Sequence, residues 1–284
     1  MTLTVQDLRI HPVKALRGYA RDVVSVAAWG IETDRRWMVV RPDGHFMTQR
    51  DFPAMARIAA EATVTGLTLS TEGLDACRVP FPDDATSARR QATVWRDTVA
   101  ALDAGPAAAA WISAALGETC GLVYLADTDA RPVHPDYGQA GDHTAFSDGF
   151  PVLLTTTASL DALNAALPEP IPMNRFRPNI VVDGAAPWAE DRWRRIRIGA
   201  VLFRVAKPCT RCIVTTVDQM SGARPDKSEP LKTLTRIRRT AAGVIFGQNL
   251  IPECQGRITI GERVEILETG ESNVTLLTAT ETSA

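Results

Sequence analysis

Apolar and polar residues alternate along much of the first hundred positions. LTVQDLRIHPV (3–13), DVVSVAAW (22–29), RRWMVVR (35–41), TVTGLTLST (63–71) and ATVWRDTV (92–99) each show the period-two pattern of a strand with one face buried. PDG, EG and FPDD turns punctuate them. Strands this short and closely spaced predict an antiparallel or barrel-like sheet rather than regular βαβ units. The period changes at Gly105 and Pro106, which open AAAAWISAALG (107–117), a helix by its alanine and leucine content.

From Asp127 to Asp148 the pattern dissolves into a polar, turn-rich stretch, which reads as a long functional loop or a linker between lobes. PVLLTT (151–156) then predicts a strand and TASLDALNAAL a helix with Thr157 or Ser159 near its N-cap. NIVVDG (179–184), RRIRIGAVLFRVAK (194–207) and IVTTVD (213–218) resume the strand pattern. EPLKTLTRIRR (229–239) predicts a short helix, and RITIGERVEIL (257–267) a closing hairpin turning near Ile260 and Gly261. The expected architecture is α+β and mainly antiparallel. A strand-rich lobe covers residues 1–125, a barrel-like lobe 126–268, and a loose polar tail 269–284.

Composition narrows the function. With 45% hydrophobic and 23% charged residues, the 284-residue chain matches ordinary globular proteins. A formal charge of −2 offers no basic surface for nucleic acid or anionic lipid, so any anion site must be local. The N-terminus lacks a signal-peptide pattern and no apolar stretch has membrane-spanning length, which predicts a cytoplasmic protein without a membrane partner. Five cysteines are too few for a secreted disulfide scaffold, so the close pair Cys209 and Cys212 is read as chemical.

That pair lies in KPCTRCIVTTVDQ (207–219), where a turn would place a thiolate beside Arg211 and backbone donors, favouring ionisation and metal binding. Half of a zinc site, a thioredoxin-like dithiol and two buried structural cysteines are the competing readings. In FSDGFPVLLT (146–155), Asp148 and Gly149 end the irregular loop, and exposed amides near a helix start would suit phosphate. In NRFRPNIVVDG (174–184), Arg175, Arg177 and Asn179 could clamp a phosphate or a heterocycle edge. HPVKALRG (11–18) and TDRRWMVV (33–40) add Lys14 and a fork from Arg35 or Arg36. Standing alone, FSDGFPVLLT reads first as an ordinary turn before a strand, NRFRPNIVVDG reads equally well as a solvated strand edge, and the N-terminal cations read as common surface residues.

As an ordered series, with MTQRDFP (47–53) and FGQNLIP (246–252), these segments resemble the MOSC family. The similarity is to its two-part members, among them the mitochondrial amidoxime-reducing component and bacterial YcbX-type proteins. The resemblance implies an N-terminal β-rich domain packed on a MOSC β-barrel-like lobe, with a molybdenum–pterin cofactor (molybdopterin) between them. It implies Cys212 as ligand to molybdenum, with Thr210 and Arg211 beside the pterin dithiolene. Lys14, Arg35, Arg177, Asn179 and the backbone around Gly149 and Phe150 would hold the pterin and its phosphate. Where relatives have a serine after the motif lysine this chain has Ala15, and hydroxyl residues after the motif aspartate become Gly149 and Phe150. Phosphate contacts there must come from backbone or other side chains.

The implied reaction is oxygen-atom removal from N-hydroxylated compounds such as hydroxylamines, amidoximes or N-hydroxylated bases, with Asp148 positioning substrate or relaying a proton. A sulfur or cofactor carrier using a Cys212 persulfide and a zinc-stabilised interaction module are the alternatives. Pyridoxal phosphate binding is not expected. Only Cys254 follows Cys212, too few thiols for an iron–sulfur centre, and there is no GxGxxG fingerprint for a dinucleotide. Electrons are therefore expected from an external protein, a ferredoxin or flavoprotein.

Overall fold

A computed structural model of the chain describes residues 2–126 and 131–277. Its largest sheet is assembled from both ends of the sequence. The strand order runs Tyr19–Ala20, Thr4–Ile10, Ile180–Asp183, Val152–Thr156, Gly243–Pro252, Val201–Thr210, Trp193–Ile198, Val264–Thr269, with Arg239–Thr240 also pairing onto Gly243–Pro252. Neighbours are antiparallel except Val152–Thr156 and Ile180–Asp183, which run parallel. The helix Thr157–Asn164 lies in the crossover between them. Trp37–Val40, Gly121–Tyr124, Asp97–Asp103 and Arg89–Val94 form a second sheet, and Ala59–Thr63, Gly66–Thr71 and Leu74–Pro80 a third. The architecture is α+β and mainly antiparallel, as the alternation predicts.

Two apolar cores explain the placement of the site. Val5, Leu8, Ile10, Val24, Val26 and Ile31 pack with Val152, Leu154, Ile180, Phe203 and Leu250 from the second half of the chain. Val13, Leu16, Trp37, Met55, Leu69, Ile112 and Leu122 form a separate core. The backbone passes from the first core to the second across residues 11–13, and Lys14 stands immediately after that passage.

Several local expectations are corrected. The run 92–99 is not one strand, because the chain turns at Trp95 and Arg96 between Arg89–Val94 and Asp97–Asp103. The segment 257–267 is not a hairpin either. Gly256–Thr259 pairs with Val23–Ala27 and Val264–Thr269 with Trp193–Ile198, while the Gly261 and Val264 amides donate to Val5 and Leu3 carbonyls at 2.8 and 2.9 Å. The N-terminal strand captures the turn.

IVTTVD is a single 3-10 turn, Ile213–Thr216, rather than a strand. The Thr215 and Thr216 hydroxyls donate back to the Cys212 and Ile213 carbonyls at 2.9 and 2.8 Å, a local alternative to a sheet ladder. The helix N-cap is Thr156, whose oxygen accepts from the Ser159 amide at 3.2 Å. The tail is not loose as far as residue 277. Asn273 donates its amide to Asp191 and exchanges side-chain bonds with Gln248, and the Leu277 amide reaches Arg239. Residues 127–130 of the expected loop and 278–284 of the tail lie outside the described residues.

Beneath that tail, the buried carboxylate of Asp191 accepts from Arg238 at 2.7 Å and from Gln248 at 2.8 Å. Removing one partner of a buried ion pair strands the other charge. Asp191→Ala should therefore cost about 3–5 kcal/mol of unfolding free energy. Urea denaturation measures it, and a loss below about 1 kcal/mol, the range of an exposed pair, would mean Arg238 is relieved by solvent.

Candidate functional site

Beside Lys14 a cleft of about 500 Å³ opens. Lys14 is fixed at its edge because its amide donates to the Trp37 carbonyl at 2.8 Å, and its ammonium donates to the Phe146 carbonyl at 2.9 Å and to Asp148 at 2.5 Å. Burial pulls the Lys14 pKa down, and Asp148 opposes that shift. Desolvation by the surrounding cleft wall would push the Asp148 carboxyl up, but Lys14 and the Trp95 indole N–H, 3.1 Å away, outweigh it and hold the acid below the usual carboxylate range. The Asp148 side chain is 72% exposed, so solvent screens this pair and it contributes little to stability.

A second group joins the halves of the chain. The Arg35 guanidinium donates to the Asp34 carboxylate, to Asn179 Oδ1 at 3.1 Å and to the Arg177 carbonyl at 3.2 Å. The Asn179 side chain also donates to the Arg9 carbonyl and accepts from the Leu153 amide. Arg177 donates to Gln219 at 3.0 Å, and Gln219 and Gln49 exchange two bonds, but Arg177 Nη2 is buried without a partner. Burial first, and the neighbouring charge of Arg35 second, push its pKa down to about 9. Its nearest cation is thus neutralised by Asp34 while its own charge has no counterion. Such a guanidinium stands ready for an anion.

The thiols come from the end of strand Val201–Thr210 and the turn that follows. The Arg211 amide donates to the Val244 carbonyl, and its guanidinium donates to Cys209 Sγ at 2.9 Å and to the Phe176 carbonyl at 2.7 Å. The thiol beside Arg211 is therefore that of Cys209. Cys212 caps the 3-10 turn, half-buried in the cleft wall. Among the described residues no group of three His, Cys, Asp or Glu side chains could hold a metal ion.

The ten residues that the family resemblance implies for the site all line this one cleft, whereas Arg175 lies outside it and donates to the Thr215 and Thr216 carbonyls. Lys14 and Arg35 come from the first core junction, Asp148, Gly149 and Phe150 from the central loop, Arg177 and Asn179 from the crossover, and Thr210, Arg211 and Cys212 from the thiol turn. Arg36 is excluded, since it donates to the Leu125 carbonyl and stacks on Trp29 and Tyr124. Gly149 is not at a helix start, because strand Val152–Thr156 intervenes, and a Cβ there would meet open space.

Residues 2–119 match the MOSC N-terminal beta barrel domain and residues 141–265 the MOSC domain. Mitochondrial amidoxime-reducing component 1 of Mus musculus is 33% identical over 281 residues, covering 93% of this chain and 82% of the relative. The chain belongs to the MOSC family. The Homo sapiens component 1 is 32% identical with 93% and 83% covered, and the Bos taurus component 2 is 31% identical with 83% and 72% covered. No described helix of this MOSC protein is long and apolar enough to cross a membrane.

The MOSC cleft also contains residues that sequence reasoning missed: Arg50, Trp95, Lys207 and Asn249. Arg50, Lys207 and Asn249 sit inside the recognised MTQRDFP, KPCTRC and FGQNLIP segments, so a signal existed. Trp95 gave none, because it reads as a strand residue. Ala15, Arg35, Trp95 and Arg177 adopt left-handed φ values of 66°, 50°, 58° and 53°, and Trp188 is the fifth such non-glycine among the described residues. Four of five strained residues thus border the cleft. Such conformations persist only where surrounding contacts over-determine them, which is common at functional sites.

Behind the MOSC cleft, His11 is 4% exposed and its Nδ1 has no partner. Burial, then Arg177 and Arg35, hold its pKa well below the ordinary value of 6.5. The unfolded chain then binds a proton near pH 6.5 that the folded chain refuses, so stability falls as pH drops below that point. Denaturant titrations across mildly acidic pH should show His11→Gln losing up to about 1.4 kcal/mol less per pH unit than wild type. Parallel slopes would show that His11 protonates freely in the fold.

Proposed function

We propose that this MOSC protein is a molybdenum–pterin-dependent reductase of N-hydroxylated compounds, with Cys212 as the protein's ligand to the metal. One observation carries the reading: a single cleft gathers Cys212 and the unpaired guanidinium of Arg177 from distant segments. The relatives named as amidoxime-reducing components support the substrate class.

The donor set fits such a cofactor. A metal that brings its own dithiolene sulfurs needs one soft anionic ligand from the protein, and a phosphate needs cations buried without counterions. Arg177 Nη2 and the buried, unpartnered Nε of Arg211 supply the second requirement. Lys14, Arg35, Asn179, Thr210 and the backbone at Gly149 and Phe150 would complete the grip on the pterin and its phosphate. When bound, the metal supplies two-electron oxygen-atom transfer. An amidoxime plus two electrons and two protons becomes an amidine and water.

The chain's own residues exclude bulk water and set the substrate's orientation. Asp148, held ionised by Lys14, acts as an acceptor for the substrate's N–H or O–H rather than as a proton source. Electrons arrive from an external ferredoxin or flavoprotein.

Cys212→Ser should lose reduction of benzamidoxime by at least about a hundredfold with the fold retained, since serine is a hard and poorly ionised replacement. Cys209→Ser should stay within about tenfold of wild type, because the Cys209 sulfur accepts from the Arg211 guanidinium and serine can accept in its place. Metal and pterin analysis of purified protein decides the reading. A cyanide-labile sulfur on Cys212 without molybdenum would identify a carrier instead. Arg177→Ala should lower molybdenum retention after dialysis about tenfold or more, the worth of one charged hydrogen bond. Unchanged retention in a folded variant would place Arg177 outside the cofactor site.

A further inference from the structure

Six cationic side chains but one carboxylate line the cleft. Asp148 pairs with Lys14 and Asp34 with Arg35, which leaves Arg50, Arg177, Lys207 and Arg211 without a carboxylate partner among the described residues. Arg177 and Arg211 are assigned above to the cofactor. Arg50 and Lys207 are not, and both are half-buried rather than waving in solvent. Elsewhere in the fold some arginines of similar exposure pair with acids, Arg195 and Arg204 sharing Glu253 and Arg197 meeting Glu265, whereas in the cleft two such cations stand together without one among the described residues. A pair of unmatched cations in a chain of net charge −2 therefore marks a local preference for anions.

Each of the two is held by an aromatic ring. The Arg50 guanidinium lies 4.4 Å from the Trp95 ring centre, and the left-handed Trp95 is anchored through its indole N–H to Asp148. The Lys207 ammonium lies 4.4 Å from the Tyr137 ring, which meets Phe150 of the cleft edge-on at 5.9 Å. Trp95 and Phe150 thus present aromatic surface to the cleft and bring a cation with it, one from each half of the chain. A ring face takes a planar ligand, and an adjacent fixed cation takes a carboxylate or phosphate.

We infer that the preferred substrates are planar N-hydroxylated compounds bearing a carboxylate or phosphate, recognised by Arg50 on Trp95 and by Lys207. This inference rests on the reductase reading given above. The amidine formed when two electrons and two protons release the oxygen as water takes up a further proton from solvent, so the product is a zwitterion whose amidinium end these side chains repel while its anion stays attracted.

The test uses the holoprotein with a viologen dye as electron donor and two substrates, benzamidoxime and its 4-carboxylate. The carboxylate should be favoured in kcat/KM by about tenfold at low salt, chiefly through KM, with the advantage shrinking as salt rises. Arg50→Gln and Lys207→Gln should each lower kcat/KM for the carboxylate about three- to tenfold more than for benzamidoxime. Calorimetric binding of benzoate and benzamide supplies a readout without turnover, with benzoate favoured in wild type and the difference reduced in both variants. Equal treatment of the two substrates by wild type, or a preference that survives the Arg50→Gln, Lys207→Gln double variant, overturns the inference. So does a double variant whose only defect is a raised KM for a protein electron donor, which would assign these cations to docking. Failure of the holoprotein to reduce benzamidoxime at all would instead overturn the reductase reading itself.

Discussion

The site depends on one buried joint. Arg35 has to satisfy a guanidinium that is only 14% exposed in its side chain, and it does so with Asp34, Asn179 and the Arg177 carbonyl. Asp34 in turn accepts from the His11 amide, the Arg35 amide donates to the His11 carbonyl, and the Phe146 amide donates to the Arg35 carbonyl. Four segments far apart in sequence thus meet at Asp34 and Arg35, the Arg35 side chain reaching the 177–179 segment and its backbone reaching His11 and Phe146. A planar fork with several fixed donors can do this, whereas the single point charge of lysine cannot.

The same joint explains why strained backbone collects here. Arg35 and Arg177 are both left-handed, and each strained residue presents a carbonyl or amide that the other segments use. The conformational cost, of order 1–3 kcal/mol for each residue, is offset by the surrounding hydrogen bonds. Rigidity of this kind keeps the cations and the Cys212 turn in a fixed relation, which an unstrained loop would not do.

How much was legible in the sequence follows from what kind of signal each feature leaves. Helix Pro106–Leu116 leaves a local one, proline at its start and Gly117 in a left-handed cap, and was readable directly. The chemistry of Lys14, Asp148, Arg177 and Cys212 was readable only because several short segments occurred together in order. IVTTVD misled because β-branched residues favour strands while their threonine hydroxyls were engaged by the preceding carbonyls. The hairpin expected near Gly261 failed because strand partners are chosen by the whole sheet, and residues 3–5 competed successfully for the turn. Trp95 was invisible because its role depends on the hairpin bend and on Asp148, some fifty positions later.

The strand order has a consequence for how the molecule is made. Thr4 lies opposite Asp183, and Val23 opposite Thr259, so beyond short local pairings with Tyr19–Ala20 and Gly30–Ile31 these strands find their sheet partners only when most of the described chain has been made. Core residues such as Val5, Leu8 and Val24 must wait exposed through that interval. Pairing over such separations carries a large loop-closure cost before any contact repays it, and slow non-local folding leaves unpaired strand edges open to misassociation. Non-local pairing of this kind leaves strand edges open during folding that the finished sheet covers.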